Sequence, residues 1–261
     1  MKIASWNING IKARHDVVIE WLKQAEPDIA CLQEIKSVDE KFPGSEIEAL
    51  GYNIETHGQK GFNGVAILSR LPFDEVNREL PGDDEDEQAR FMEGVFSIDG
   101  SVLRVVSLYL PNGNPVSEPR KFDYKLAWMD RLIDWSRERL LLEEALILAG
   151  DYNVIPQEKD CWDPKVWRGD ALFMPQTRSR FEALKNLGFT EALRASSAND
   201  GIYTFWDFQG GGWPKNQGIR IDHLLMSPEA ALLLEGCSVD KHIRAWEKPS
   251  DHVPIWLNYA A

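Results

Sequence analysis

Eight residues carry functional groups that could act together: Asn7, Glu34, Tyr109, Asp151, Asn153, Asp222, Asp251 and His252. Each closes or follows a short β-like run, where a rigid strand delivers its last side chain to an exposed loop. The run Ile29-Ala30-Cys31-Leu32-Gln33 ends at Glu34, and Leu146-Ile147-Leu148-Ala149-Gly150 ends at Asp151-Tyr152-Asn153. An acid and an amide two residues apart on an extended chain face the same side. Carboxylates and amides gathered at one rim suit a hard cation such as Mg²⁺, which takes one or two carboxylates, keeps several waters and bridges to phosphate oxygens. Taken singly, Glu34 is as well explained as a solvated strand end.

An imidazole joins this set in Asp251-His252-Val253-Pro254-Ile255. Neighbours on a strand face opposite ways, so Asp251 is badly placed to orient His252 and another acid is needed. Asp222 lies in the apolar stretch Arg220 to Leu225, where an unpaired carboxylate is expensive. Pairing Asp222 with His252 answers both needs. A structural ion pair between Asp222 and Arg220 is the alternative. His15, His57, His223 and His242 read as ordinary surface or core residues.

The elements that must position these groups alternate along the chain. Strand patterns cover residues 2–9, 28–34, 64–70, 91–98, 102–110, 145–153, 220–227 and 252–259. Helical spacing covers residues 11–24 and about 118–143, where Leu126, Met129, Leu132, Ile133 and Leu140 recur, and residues 179–187, with Ser179 as the cap and Gly188 as the stop. Asp99-Gly100 between two strand patterns predicts a hairpin, and with it a mixed sheet or a sandwich rather than a purely parallel sheet. No linker or repeat interrupts the 261 residues, so a single domain over 1–261 is expected.

Composition narrows the class. The longest apolar runs, Ala145 to Ala149 and Ala230 to Leu234, are far too short to span a bilayer. Lys2 is followed by Trp6, Asn7 and Asn9 rather than by a secretory leader, which predicts a cytoplasmic protein without a membrane partner. Cys31, Cys161 and Cys237 form no C-x-x-C and are read as idle thiols. The net charge of −13 runs against a nonspecific nucleic-acid binder, and setting aside the acidic run Asp83 to Glu87, read as a solvated loop, leaves the balance acidic. A polyanion site must therefore be a local patch.

In their order and spacing, these motifs give the chain a strong family resemblance. Ser5-Trp6-Asn7-Ile8-Asn9-Gly10, Leu32-Gln33-Glu34-Ile35-Lys36, Asn63-Gly64-Val65-Ala66-Ile67, Tyr109-Leu110-Pro111-Asn112 and Gly150-Asp151-Tyr152-Asn153 come first. Tyr203-Thr204-Phe205-Trp206, Arg220-Ile221-Asp222 and Ser250-Asp251-His252-Val253-Pro254-Ile255 complete the set. Over essentially its whole length the chain resembles exonuclease III and the AP endonucleases of the endonuclease/exonuclease/phosphatase superfamily. The Glu, Asp-x-Asn and Ser-Asp-His elements belong to the wider superfamily. The Trp6-Asn7 start, Tyr109, Thr204-Phe205-Trp206 and Arg220-Ile221-Asp222 point to its DNA-repair branch.

The resemblance implies a four-layered α/β sandwich: two mainly antiparallel, mixed β-sheets packed face to face with helices outside. It implies metal-dependent hydrolysis of DNA phosphodiesters at abasic sites and 3′ ends, leaving 3′-hydroxyls, with Mg²⁺ as cofactor and Mn²⁺ as a substitute. The partner implied is duplex DNA, and the chain is expected to act as a monomer. Glu34 resembles the principal metal ligand, with Asn7 beside it and Asp251 in support. Asp151 resembles the group that prepares the attacking water or assists the leaving oxygen, and Asn153 the amide that positions water and phosphate. His252 oriented by Asp222 resembles the pair at the scissile phosphate, with the Tyr109 phenol nearby.

Asn112, Lys36 and Arg90 fall at substrate-facing positions. Phe205, Ile219 and Ile221 match the walls of a pocket for a base-less sugar. Lys12, Lys60, Lys121 and Lys125 are further candidates for a cationic rim, whereas Trp206 reads as core. Ile219 departs from a Trp found in some relatives, and Asn9 from an Asp. Two other functions share the same core, a hydrolase of a non-DNA phosphate ester and a catalytically idle DNA-binding protein.

Overall fold

In the computed structural model, which describes residues 1–260, the apolar runs become strands. In chain order they are β1 (Lys2–Asn7), β2 (Ile29–Gln33), β3 (Asn53–His57), β4 (Val65–Ser69), β5 (Glu75–Asn77) and β6 (Phe91–Ile98). There follow β7 (Ser101–Tyr109), β8 (Ala145–Asp151), β9 (Thr190–Glu191), β10 (Asp222–Met226), β11 (Leu234–Val239) and β12 (Ile255–Tyr259). They build two six-stranded sheets, ordered β11-β12-β1-β2-β4-β3 and β5-β6-β7-β8-β10-β9. The pairs β1/β2 and β7/β8 are parallel, and each is crossed over by a helix, Ile11–Ala25 and Pro119–Leu140 respectively. Every other pairing is antiparallel, so the layered, mixed sandwich anticipated above is the fold.

Alternation along each strand divides its side chains between two cores. Ile3 of β1, Ile29 and Cys31 of β2, Val105 of β7, Ile147 and Ala149 of β8 and Leu224 and Met226 of β10 meet between the sheets. The intervening residues face the helices. Ala4, Trp6, Ala30 and Leu32 pack on Val18, Trp21 and Leu22, while Val106, Leu108, Leu146 and Leu148 pack on Trp128, Met129, Leu132 and Phe181. Gly150 lies where a Cβ would come 2.0 Å from the Leu108 carbonyl oxygen, so glycine is what lets β7 and β8 lie close just before Asp151.

Four strands escaped the pattern reading: β3, β5, β9 and β11. Residues 53–57 and 234–239 are edge strands of mixed polarity, the second with a register shift at Gly236, and β5 and β9 have three and two residues. None offers a half-buried run long enough to show a period. The expected helix from Ser179 in fact starts at Pro175, which fills the first helical position where its missing N–H is harmless. Ser179 does not cap it; its hydroxyl donates to the Gln176 carbonyl inside the first turns. The acidic run is not wholly solvated either, since Asp86 accepts from Arg131 at 2.7 Å and from the Tyr124 hydroxyl at 3.0 Å. No helix among the described residues is long and apolar enough to cross a membrane.

Candidate active site

The alternation that builds the inner core also builds the site. Continuing the inward set of β1 by steps of two from Ile3 reaches Asn7; in β7 it reaches Tyr109, in β8 Asp151 and, counting back from Leu224, in β10 Asp222. Pairing register sets Tyr109 opposite Asp151 and Asp151 opposite Asp222. Four inward polar groups therefore share one rim of the sandwich. Below them Ser5 donates to Gln33 at 3.2 Å and Gln33 to Ser107 at 3.1 Å, a buried polar rung between the sheets.

Asn7 joins the two sheets at that rim. Its Nδ2 donates to Glu34 Oε1 at 2.8 Å and to Asp151 Oδ2 at 2.9 Å, so the two carboxylates share one amide. Its Oδ1 accepts from the Asn9 amide at 3.0 Å, which leaves Asn7 orienting the acids rather than presenting an oxygen to them. Glu34, one residue past β2 at φ 51°, is turned toward Lys36 Nζ, 2.9 Å away. Lys36 also donates to Asn9 Oδ1 at 2.6 Å, and Asn9 in turn to Asp251 at 3.1 Å. Asp251 is thus tied to Glu34 through Asn9 and Lys36 rather than touching it.

His252 is held from behind. Its carbonyl accepts from the Trp6 indole at 3.1 Å, its amide donates to Ser250 Oγ at 3.2 Å, and Ser250 donates to the Asn7 carbonyl at 2.7 Å. On the ring, Nδ1 lies 2.9 Å from Asp222 Oδ2 and Nε2 lies 3.7 Å from Asp151 Oδ2. Arg220, the alternative partner for Asp222, turns instead to Asp160 at 2.9 Å and to Glu191. Thr204 ties the strands that carry the pair: its Oγ1 accepts from the amides of Ile221 and Asp222, and its carbonyl from Val253.

Burial and charge divide these groups by protonation. Burial pushes Glu34 up, but donation from Asn7 and Lys36 outweighs it and holds the carboxyl below its usual range. Asp151 is raised to about 7, chiefly by burial, with His252 acting against and Asp222 adding to the rise. Burial would deprotonate His252, yet Asp222 and Asp151 together raise it to about 10. Tyr109 is pushed well above its ordinary value by burial and by the charges of Glu34 and Asp151, so its phenol remains a donor. The Arg90 guanidinium stacks 4.8 Å from its ring.

Ligand atoms of Asp151, Asp222 and His252 lie within 4.8 Å of one another, a spacing compatible with a metal. Two of these three are already committed to each other by the Asp222–His252 bond. The donor set that fits a hard divalent cation is the pair of carboxylates held side by side by Asn7, oxygen ligands without a thiolate among them.

The remaining expected residues fall near the rim with different exposure. Asn153 follows Asp151 at φ 47°, with its amide donating to Asp151 at 2.9 Å; its side chain donates to the Leu110 carbonyl and accepts from exposed Asn112 at 3.0 Å. Phe205 stands edge-on to His252, ring centroids 5.0 Å apart. Ile219 and Ile221 are 1% and 2% exposed and pack with Ile155, Leu172 and Phe173, so they back Phe205 and present almost no surface of their own. Lys12, Lys60 and Lys121 are exposed. Lys125 is not a rim cation, because it is fully buried. Trp206 is core, as expected.

Sequence reasoning named Ser250, Thr204, Ser5 and Gln33 only as members of motifs, gave them no supporting role and left out Ser107. Lys125 did carry a signal: it shares the apolar face of Phe122, Trp128, Met129 and Leu132, where a lysine is out of place.

With the geometry in hand, comparison with known proteins gives one answer. The model of the endonuclease/exonuclease/phosphatase family matches residues 4–252. An exodeoxyribonuclease III of Haemophilus influenzae is 33% identical over 267 aligned residues, covering 99% of this chain and 100% of that protein. A 3′ phosphatase from Neisseria, solved with a product DNA hairpin, superposes with a TM-score of 0.94 at 36% identity, 99% of each chain being covered. An AP endonuclease from Archaeoglobus fulgidus superposes at 0.92 with 33% identity, covering 100% of both chains.

Proposed function

The chain belongs to the endonuclease/exonuclease/phosphatase family, and from that membership and the rim geometry we propose that it incises DNA at abasic sites and trims 3′ ends, leaving 3′-hydroxyls. It is a DNA-repair nuclease of the exodeoxyribonuclease III type, a metal-dependent phosphodiester hydrolase. The observation that carries the proposed division of roles is the Asn7 amide shared by Glu34 and Asp151, with the Asp222–His252 pair reaching Asp151 from the other side.

Mg²⁺ is the proposed ion, with Mn²⁺ able to replace it. Glu34 would be its main ligand with Asp151 as the second carboxylate, while Asn7 and Asp251 would act from outside by holding the acids and Asn9. Bound there, the ion supplies Lewis-acid polarisation of the phosphate and a more acidic water. The remaining work belongs to side chains. His252, kept cationic by Asp222, presents Nε2 to a phosphate oxygen whose charge grows in the transition state. The Tyr109 phenol offers a second donor. Asp151 handles the proton of the attacking water or of the leaving oxygen, and Asn153 aligns water and phosphate. Phe205 lines the edge of the sugar site, with Ile219 and Ile221 packed behind it, while Asn112, Lys36 and Arg90 flank the strand.

The direct test offers the protein, in Mg²⁺ buffer, a labelled duplex with one abasic site, a duplex with a recessed 3′ end and an inositol phosphate. Incision and 3′ trimming of the duplexes are expected. Turnover of the inositol phosphate alone, or duplex binding without any cleavage, would overturn the proposal.

Glu34→Gln keeps the shape and the hydrogen bond to Asn7 but removes one charge from the ion's ligands. The Mg²⁺ concentration for half-maximal rate is expected to rise about ten-fold or more. A Mg²⁺ titration of initial rates checks it; an unchanged midpoint would move the ion away from Glu34.

A further inference from the structure

On the helix Pro119–Leu140, Lys125 is completely buried among apolar neighbours. Its ammonium meets no carboxylate at ion-pair distance among the described residues. It donates instead to two main-chain oxygens, 2.6 Å to Asn153 and 3.2 Å to Asn112. These two carbonyls belong to the segments that leave β8 and β7, on either side of the rim. Asn112 in turn donates its side-chain amide to Asn153 Oδ1 at 3.0 Å. Both the Asn153 backbone and the residue that orients its carboxamide therefore hang on one ammonium.

An apolar side chain here would leave both main-chain oxygens without this donor. Burial lowers the Lys125 amine to about 7, a desolvation cost that the fold accepts to keep a polar head at this point of the helix. The stem is tightly enclosed as well: a Cβ on Gly113 would come 2.7 Å from Lys125 Cδ, so the loop after β7 is shaped around it. Asn153 sits at φ 47°, a left-handed conformation that asparagine adopts more readily than most side-chain-bearing residues.

We propose that Lys125 is a positioning residue for phosphodiester hydrolysis: by fixing the main-chain oxygens of Asn112 and Asn153 it aims the Asn153 carboxamide at the reacting phosphate. This rests on the reading of Asn153 as a phosphate-facing group. Removing the ammonium lets both segments shift by a fraction of an ångström, which alignment-dependent chemistry feels in the catalytic step.

The experiment is a double-mutant cycle of Lys125→Met and Asn153→Ala, with steady-state kinetics on an abasic duplex and thermal melting of each variant. Lys125→Met is expected to lower kcat by about 10- to 100-fold with KM within about two-fold and with the protein still fully folded at the assay temperature. In the Asn153→Ala background the same change is expected to have little further effect, because its route is already gone. Wild-type kcat for Lys125→Met beside a slow Asn153→Ala would overturn the positioning role alone. Wild-type kcat for Asn153→Ala would overturn the underlying reading of that residue. Full additivity of the two losses would also overturn the proposal, as would a fall in melting midpoint that accounts for the lost activity. Should the Met variant not fold, Lys125→Gln, which keeps an N–H donor on a shorter stem, enters the same cycle with an intermediate loss expected.

Discussion

Asp151→Asn is expected to lower kcat for abasic-duplex incision by about 10³- to 10⁴-fold, or about 4–5.5 kcal/mol of barrier, with duplex affinity retained. The substitution is nearly isosteric, and its single carbonyl oxygen can keep one of the two bonds that Asp151 accepts at 2.9 Å, from Asn7 at Oδ2 and from the Asn153 amide at Oδ1. What it loses is the capacity to bind and release a proton, and one negative charge between Glu34 and His252. Burial raises Asp151 while His252 opposes the rise, and a bound cation would oppose it further, which keeps the carboxylate available to take a proton. Single-turnover rates, with binding measured separately by fluorescence anisotropy, check the prediction. A loss under ten-fold would remove Asp151 from the chemical step.

His252→Ala is expected to lower kcat by about 10²- to 10³-fold, the effect of deleting one well-aimed donor to a developing charge. It also strips the partner from Asp222, which is fully buried, so a loss of stability of about 3–5 kcal/mol accompanies it. The two effects separate in the double variant with Asp222→Asn, which has no buried charge to strand: thermal stability should largely return while activity stays low. Recovery of activity together with stability would make the pair a structural ion pair and nothing more. The pH dependence has a definite sign. His252 is raised in the folded state from 6.5 to about 10, so its share of stability is complete below about 6.5 and drains away as pH climbs through about 10. A stability profile of wild type against the double variant should diverge on the acidic and neutral side and converge in alkali.

Much of this site could be read from residue order because it follows from a period of two. Asn7, Tyr109, Asp151 and Asp222 are the rim-end inward positions of strands whose deeper inward positions are apolar apart from the Ser5 and Ser107 rung, and that parity is written in the chain. The pairing of Asp222 with His252 was legible for another reason, since a carboxylate in an apolar strand needs a partner. Less visible was anything set by register between distant segments. Asn7 lies opposite Gln33 across a parallel pair and meets Asp151 across the gap between the sheets, so its role as the bridge between two acids depends on distances no local pattern encodes. Lys125 shows the limit from the other direction. Its type suggested a solvent-facing cation, while its place in the helical repeat, with Phe122, Trp128 and Leu132, already marked an interior one. The edge strands β3 and β11 were hidden because edges carry mixed polarity, which erases the alternation that betrays central strands.

The pairing of β1 with β12, Lys2 lying opposite Asn258, has a consequence for the life of the polypeptide. The strand that carries Asn7 leaves the ribosome more than two hundred residues before its neighbour and the histidine just ahead of it. Long-range closure of this kind is slow and comes late in folding. A nascent or prematurely terminated chain therefore owns half a rim and has no means of cutting a phosphate backbone. The topology itself postpones a hazardous activity until the segment with His252 has been made and β12 has paired with β1.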